Sequence, residues 1–395
     1  MKFTIERSAL SKALSHIQNV VERRHTNPLL SNVKINADDG RITLFATDNE
    51  LEICENTPAD VEEKGSITAP AHKLYEIIRK LPEGAQIAFT MNAEKEQINI
   101  VSGRSKFALP TMAGEDFPSI AEGDMPTKFT LTAQTLKDLI ERTSFAVSTE
   151  ETRYYLNGIY LHEATAKDEK VLRAVATDGH RLAYADTVLP QGAEGMAGII
   201  VPRKAIGELG KLLAEESGDV QIALSNYKIR FALGDLVLTS LLIEGTYPDY
   251  ERVIPQENDK CLEVEAPVLM AAVDRVAVVS EKSRAVKLSI SKNKIVVSAS
   301  SAENENEKSS AEDEIEVKYD GDNVDIGFNY RYLLDVLGQI KGGLVQIAML
   351  DSNSPTVLTD LSDANVLFVL MPMRVYDHVY CKPPDVGAFG ERLRL

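Results

Sequence analysis

One element, a short strand leading into an amphipathic helix, recurs three times along this chain of 395 residues, and that repetition constrains the fold more than any other feature. The copies are SITAPAHKLYEIIRKLPEG (66–84), GIIVPRKAIGELGKLLAEESGD (198–219) and VDIGFNYRYLLDVLGQIKGGL (324–344). They are followed by AQIA at 85–88 and by VQIA at 220–223 and 345–348. Ile206, Leu209 and Leu213 share one helical face, as do Leu333, Leu337 and Ile340. A shared tetrapeptide alone would be close to chance; the same surroundings in the same order are not. A second element recurs as KFTIERSALSKALSHIQNVV from Lys2, KFTLTAQTLKDLIERTSFAVS from Lys128 and CLEVEAPVLMAAVDRVAVVS from Cys261. Two shorter matches join the first two units, FATDNELEI (45–53) with VATDGHRLA (175–183) and EDFPSI (115–120) with TYPDYERVI (246–254).

The offsets cluster near 130 residues and divide the chain into three homologous units at 1–124, 128–255 and 260–375, with an extension at 376–395. Proline, glycine and charge mark linkers at GDMPT (123–127) and PQENDK (255–260). Within each unit the order is strand, helix, several strands, then the same again. Alternating or apolar runs such as ITLFATD, QINIVS, KFALPTM, KIRFALG, LVLTSLLI and ANVLFVLMP are read as strands joined by short turns. The expected fold class is α+β, three homologous domains, each with two helices and antiparallel sheets.

Hydrophobic residues make up 44% of the chain, enough for packed cores throughout, and no apolar run approaches the roughly 20 residues a membrane helix needs. The start, MKFTIERSALSK, lacks the layout of a secretory signal, so a soluble, cytoplasmic protein is expected. Three distant cysteines, Cys54, Cys261 and Cys381, have no CxxC spacing and are read as reduced thiols, neither a disulfide frame nor a metal site.

The net charge of −17 argues at first against nucleic acid. The charge is unevenly placed, however. The six expected helices, at 9–24, 71–81, 133–147, 202–216, 267–284 and 329–341, hold 16 Lys and Arg against 10 Asp and Glu. Everything outside them holds 27 against 50. Helices in one architectural role face the same way, so a positive helical surface on an acidic body is expected, fit for a polyanion held through nonspecific phosphate contacts. The alternative is that Lys and Arg are merely good helix formers, although Glu, equally good, is not enriched.

In MKFTIER, RYYLNG (153–158), ATDGHRLA (176–183), YPDYERVIP (247–255) and MPMRV (371–375), the sequence resembles the bacterial sliding clamp family, the beta subunits of DNA polymerase III, over positions 1–375. The resemblance implies the DNA-clamp fold and a head-to-tail homodimer closing a six-domain ring around double-stranded DNA. Twelve helices would line its pore. Such a ring is cytoplasmic and nucleoid-associated, has no catalytic chemistry and no cofactor, and tethers the replicative polymerase, the clamp loader and repair proteins.

The family's pocket for partner peptides maps first onto Leu156, Thr177, Gly179, His180, Arg181 and Leu182. It continues through Pro248, Arg252, Val253 and Pro355, and closes with Val369, Leu370, Met371, Pro372, Met373 and Arg374. Aliphatic walls and soft methionines suit apolar peptide side chains, with arginine at the edge to orient them. For DNA, Arg24 and Arg153 match family positions, while Arg23, Lys73, Arg79, Arg203 and Lys204 are expected from helix placement alone. At the dimer seam the family pairs Val278 and Val279 with Ile77, Phe107 and Leu109.

Two rival readings use the same residues. A repeat scaffold could bind proteins only, and a metal-dependent hydrolase could use Asp178 and His180, whose neighbourhood also invites an acid/base role because histidine shuttles protons near neutral pH. The equivalent TDNEL stretch of the first unit has no histidine, and no GxxxxGK[ST], GxSxG, HExxH or GxGxxG motif is present. The acidic stretch 301–322 is expected to be a solvated loop. The 376–395 extension departs from the family pattern and is expected to be flexible, with Phe389 or Leu393 able to compete for the pocket.

Overall fold

The computed structural model describes residues 1–23, 26–121, 123–280, 283–304 and 307–375; Arg24 and the 376–395 extension, with Phe389 and Leu393, lie outside the described residues. Six α-helices stand among them: α1 Arg7–Val20, α2 Ala71–Lys80, α3 Ala133–Ser144, α4 Arg203–Leu213, α5 Ala266–Ala277 and α6 Tyr330–Leu337. Each occupies an expected segment and ends earlier than expected. The chain leaves α1 at Val21, already extended at φ −74° and ψ 124°. After α5 it tightens into a 3-10 turn at Val278–Ser280. Over the observed bounds the helices hold twelve Lys and Arg against six Asp and Glu, so the positive surplus is the same as over the expected ones.

Helix α1 shows how the sequence sets these elements. The Glu6 carboxylate caps its start, accepting from the amides of Ser8 and Ala9 at 2.8 and 3.1 Å, and Leu10, Ala13, Leu14, Ile17 and Val20 are buried along one face. Full burial of each such Leu or Ile contributes about 1.5–3 kcal/mol, so this face, more than helix propensity, holds α1 in place. Helices α4 and α6 do the same with Leu209 and Leu213, and with Leu333 and Leu337.

Chain contacts divide the molecule into two compact units, Met1–Lys137 with Pro190–Ile243, and Asp138–Leu189 with the chain from Glu244 onward. In the first, a nine-stranded antiparallel sheet runs Met112–Ala113, Gly65–Pro70, Asn32–Asp38, Arg41–Thr47, Leu51–Pro58, Leu236–Leu241, Lys228–Leu233, Asp219–Leu224, Thr127–Thr132. A five-stranded sheet ends at the edge strand Ser105–Pro110. In the second unit the order Gly158–Ala166, Glu169–Thr177, Arg181–Val188, Asp363–Leu370, Thr356–Asp360, Leu344–Met349, Lys260–Glu265 is again antiparallel. A four-stranded sheet there ends at the edge strand Glu307–Glu316.

The division cuts through the central repeat for a physical reason. Strand Leu51–Pro58 pairs with Leu236–Leu241, placing Ile53 opposite Leu238, so half of the central repeat extends the sheet of the first. Strand Arg181–Val188 pairs with Asp363–Leu370, placing Ala183 opposite Phe368, so the other half extends the sheet of the third. Continuous hydrogen-bond ladders therefore join each half of the central repeat to its neighbouring repeat.

Most of the acidic stretch is strand, not loop. Lys294–Asn304 and Glu307–Glu316 form a long hairpin, because Ile315 and Val317 point into the core while Glu312, Glu314 and Glu316 alternate outward.

Candidate functional site

The turn between Glu169–Thr177 and Arg181–Val188 organises the site, all of which lies in the second unit. Thr177 Oγ1 donates to the Arg181 carbonyl at 2.7 Å and accepts from the Gly179 amide at 3.1 Å. One Asp178 carboxylate oxygen accepts from the amides of His180 and Arg181 at 2.8 and 3.0 Å, and the other accepts from Arg181 Nε at 3.1 Å. Gly179 closes the turn at φ +88°, a conformation that favours glycine. Asp178 is thus committed to backbone amides and to arginine.

Arg181 is the site's hub. It is 8% exposed, and its guanidinium donates to Asp335 and, at 2.6 Å, to the Phe145 carbonyl. It also lies 4.4 Å from the centre of the Tyr332 ring and 5.1 Å from that of Phe145. His180 stacks on Tyr332 at 5.9 Å. The strand pairing sets Arg181 opposite Leu370 and Leu182 opposite Val369, and the Met371 amide donates to the His180 carbonyl at 2.9 Å. Thr356 faces Leu370 from the next strand, and the adjoining Pro355 carbonyl accepts from Asn258 at 3.0 Å. Thr177, Gly179, His180, Arg181, Leu182, Pro355, Val369, Leu370 and Met371, spread across 195 positions, therefore meet at one end of one sheet.

Beyond Met371 the chain crosses to strand Val324–Asn329, where the Met373 amide donates to the Gly327 carbonyl at 2.7 Å. A Cβ on Gly327 would stand 2.5 Å from the Met373 carbonyl oxygen and 2.2 Å from Val375, so only glycine lets this segment lie down. Pro372 is buried there and Arg374 is exposed.

Pro248, Arg252 and Val253 sit on a neighbouring turn that two buried tyrosines anchor. Tyr247 stacks on Tyr160 at 4.7 Å with the rings nearly parallel, and its hydroxyl faces the Thr177 backbone without a hydrogen bond of good geometry. Burial pushes that hydroxyl's pKa far up. The Tyr250 hydroxyl takes Arg173 Nη1 at 3.3 Å and His162 Nε2 at 3.0 Å, while Arg173 grips Asp186 with two bonds of 2.7 Å. Burial pushes the Tyr250 pKa up to about 12, so the hydroxyl stays protonated. Val253 is buried, whereas Arg252 is exposed and paired with Asp249 at 2.7 Å.

Leu156, buried at the end of the 3-10 turn Glu151–Leu156, brings an unexpected neighbour. Arg153, expected to face DNA, lies against the turn: a Cβ on Gly179 would come within 2.6 Å of its Nη1, and Glu150 holds its Nε at 2.8 Å. The exposed Tyr154, edge-on to Tyr155 at 5.8 Å, borders the same place. Sequence reasoning did not assign these tyrosines, or Tyr332, to the site; the RYYLNG motif was the available signal for the first two.

Of the other expected DNA residues, Arg23, Lys73, Arg79 and Arg203 are exposed. Lys204 is already paired with Asp48 and lies 4.0 Å from Glu22, which leaves it the least charge to offer. At the expected seam Val278 is 72% exposed, Ile77, Phe107 and Val279 are half-buried, and Leu109 is buried.

Models of the DNA polymerase III beta subunit match the chain in three consecutive blocks, the N-terminal domain at 1–121, the central domain at 130–249 and the C-terminal domain at 251–374. The beta sliding clamp of Caulobacter vibrioides is 46% identical over 376 residues, covering 95% of this chain and all of that protein. The Pseudomonas aeruginosa clamp is 40% identical over 377 residues, with the same coverage. Among solved structures, the Bartonella birtlesii sliding clamp bound to griselimycin superposes with a TM-score of 0.90 at 46% identity, over 95% of this chain and all of that one. Matched in all three domains and along nearly its whole length, the chain belongs to the DNA polymerase III beta subunit family, the bacterial sliding clamps.

Proposed function

We propose that two copies of this chain close head to tail around duplex DNA and slide along it without reading sequence, tethering the replicative polymerase, the clamp loader and repair proteins. The observation that carries this is the charge sorting: every repeat contributes two helices, and together these are positive while the rest of the chain is strongly negative. Mobile phosphate contacts to the helices permit sliding, and the acidic remainder repels lateral DNA contact. Arg23, Lys73, Arg79 and Arg203 are the phosphate-facing residues in this reading.

Two free sheet edges support closure. Ser105–Pro110 carries the exposed Lys106, with the exposed Arg104 just before it, and Glu307–Glu316 carries Glu312, Glu314 and Glu316. Antiparallel pairing of these edges between two copies would hide both and neutralise their charge, with Ile77, Phe107, Leu109, Val278 and Val279 as the apolar part of the seam. The domain limits we assign are 1–124, 128–255 and 260–375.

The Thr177–Leu182 turn, the Pro248–Val253 turn and Val369–Arg374 form the surface that takes partner peptides, and the protein acts without catalysis or cofactor in the cytoplasm, where the chromosome is. Apolar peptide side chains would enter a surface backed by the buried Leu182, Val253 and Leu370, with Arg153 and Arg252 at the edge. The test is topological. Protein loaded on nicked circular DNA is expected to fall off when the circle is linearised; retention on the linear form would overturn the reading. Phosphoester turnover lost in His180→Ala would replace it with an enzyme.

A further inference from the structure

His16 lies in α1 and is 8% exposed, with a carboxylate on each ring nitrogen: Nδ1 is 2.8 Å from Glu55 and Nε2 is 3.2 Å from Glu215. Glu55 belongs to the strand that pairs with Leu236–Leu241, and Glu215 follows α4, so the ring ties the first repeat to the second on the helix side of their shared sheet. An ionised carboxylate only accepts hydrogen bonds, and a neutral imidazole has one donor. Both bonds can be made together only by the imidazolium.

The repeat register gives this residue two counterparts. Fourteen positions after Lys2, Lys128 and Cys261 stand His16, Arg142 and Arg275. Arg142, 4% exposed, donates to the Gln339 carbonyl just after α6 and to Asp363 at 3.2 Å, tying the second repeat to the third. Aligned on VQIA, Gln339 corresponds to Ala214, one residue before Glu215. The same position therefore reaches the same place in the following repeat. Arg275, in the third repeat, pairs with Asp313 at 2.8 Å within its own. Arginine keeps its charge at any physiological pH; histidine does not.

We propose that His16 makes the junction of the first and second repeats a proton-operated latch, closed as imidazolium and released at the Glu215 arm when neutral, while Arg142 holds the second junction shut at every pH. Proton access comes from a cavity of about 320 Å³ beside the ring, lined in part by Gln18, Asn19, Glu208 and Lys211. The other charges around it are already balanced, Lys211 on Glu208 at 2.7 Å and Lys12 near Glu216 at 3.9 Å. In the strand below, the Cys54 thiol is pushed up by burial and by the nearby carboxylates, and stays neutral. Burial disfavours the imidazolium, but the bonds and charges of Glu55 and then Glu215 outweigh it and raise the His16 pKa above the ordinary 6.5. The latch therefore contributes fully below the ordinary histidine range and is lost as pH rises through the raised value.

Hydrogen exchange of the full chain from pH 6 to 9, corrected for the intrinsic rate, tests this at the end of α4. Exchange there is expected to quicken as pH rises, about tenfold for each unit by which the pKa is raised. The α6 end beside Arg142 should not change. His16→Gln should exchange fast at every pH and His16→Arg slowly at every pH. Glu215→Gln, at a half-exposed position that folding tolerates, should flatten the profile without touching the Glu55 bond. A wild-type profile that is flat, or one that survives both His16→Gln and Glu215→Gln, would overturn the proposal.

Discussion

The turn at Thr47–Leu51 in the first repeat and the turn at Thr177–Arg181 in the second are built by the same bonds. Thr47 Oγ1 donates to the Leu51 carbonyl at 2.9 Å and accepts from the Asn49 amide at 3.0 Å, while Asp48 accepts from the amides of Glu50 and Leu51 at 2.9 and 2.7 Å. Each distance has its counterpart at Thr177 and Asp178. Asn49 takes φ 78° where Gly179 takes 88°. Threonine and aspartate thus specify the backbone. What the turn can do depends on the next three residues: Asn-Glu-Leu buries a leucine in the core, whereas Gly-His-Arg admits the Arg153 guanidinium against the backbone and sends Arg181 to Asp335, Phe145 and Tyr332.

The largest effect is expected where the turns diverge most. Arg181→Ala should cost on the order of 3 kcal/mol, because Asp178 and Asp335 lose their shared cation, and should also abolish binding of a polymerase-derived peptide. Leu51→Ala should cost about 2–5 kcal/mol through the cavity it leaves and spare the peptide. Denaturant unfolding and calorimetric titration read both quantities, and equal peptide loss in the two variants would erase the distinction between the turns.

Gly179→Ala comes next. The left-handed backbone penalises a Cβ by about 1–2 kcal/mol, and the new atom must push Arg153 aside, so peptide affinity should fall about tenfold, or roughly 1.4 kcal/mol. Asn49→Ala adds no Cβ and loses only asparagine's preference for the left-handed region, in a turn outside the proposed peptide surface, so its peptide affinity should match the wild type.

The smallest effect concerns the support beneath the second site. Burial, with the Arg173 charge, holds the His162 pKa below its ordinary value, against the Glu163 carbonyl and nearby acids that favour its charged form. Below about pH 6.5 the unfolded chain takes up a proton that the folded chain refuses, so stability falls with pH, opposite in sign to His16. Melting temperatures of wild type and His162→Gln should converge between pH 7 and 5 if this holds; parallel curves would remove His162 from the account.

Much of this was legible beforehand. The recurrence of KFTIE and KFTLT, and of VQIA, counted the repeats and located six helices, because helical period and strand alternation are written in adjacent residues. Leu209 and Leu333 fell where their spacing said. Helix ends were less legible: the close of α5 is decided by where the chain tightens at Val278, not by any glycine or proline in VAVVSEKSR. The acidic stretch misled because charge density was read before alternation, and Ile315 and Val317 were the overlooked sign of a strand.

The sequence by itself therefore determined the three-fold repetition, the six helices, the separation of basic helices from an acidic remainder, and the family. All of these rest on local pattern or on order along the chain. Only the tertiary structure decided that Arg153 rests on Gly179, that His16 is gripped by Glu55 and Glu215, and that the central repeat shares its sheets with both neighbours. Such contacts depend on where side chains far apart in the chain come to rest once cores are packed and strands paired, and no periodicity records that.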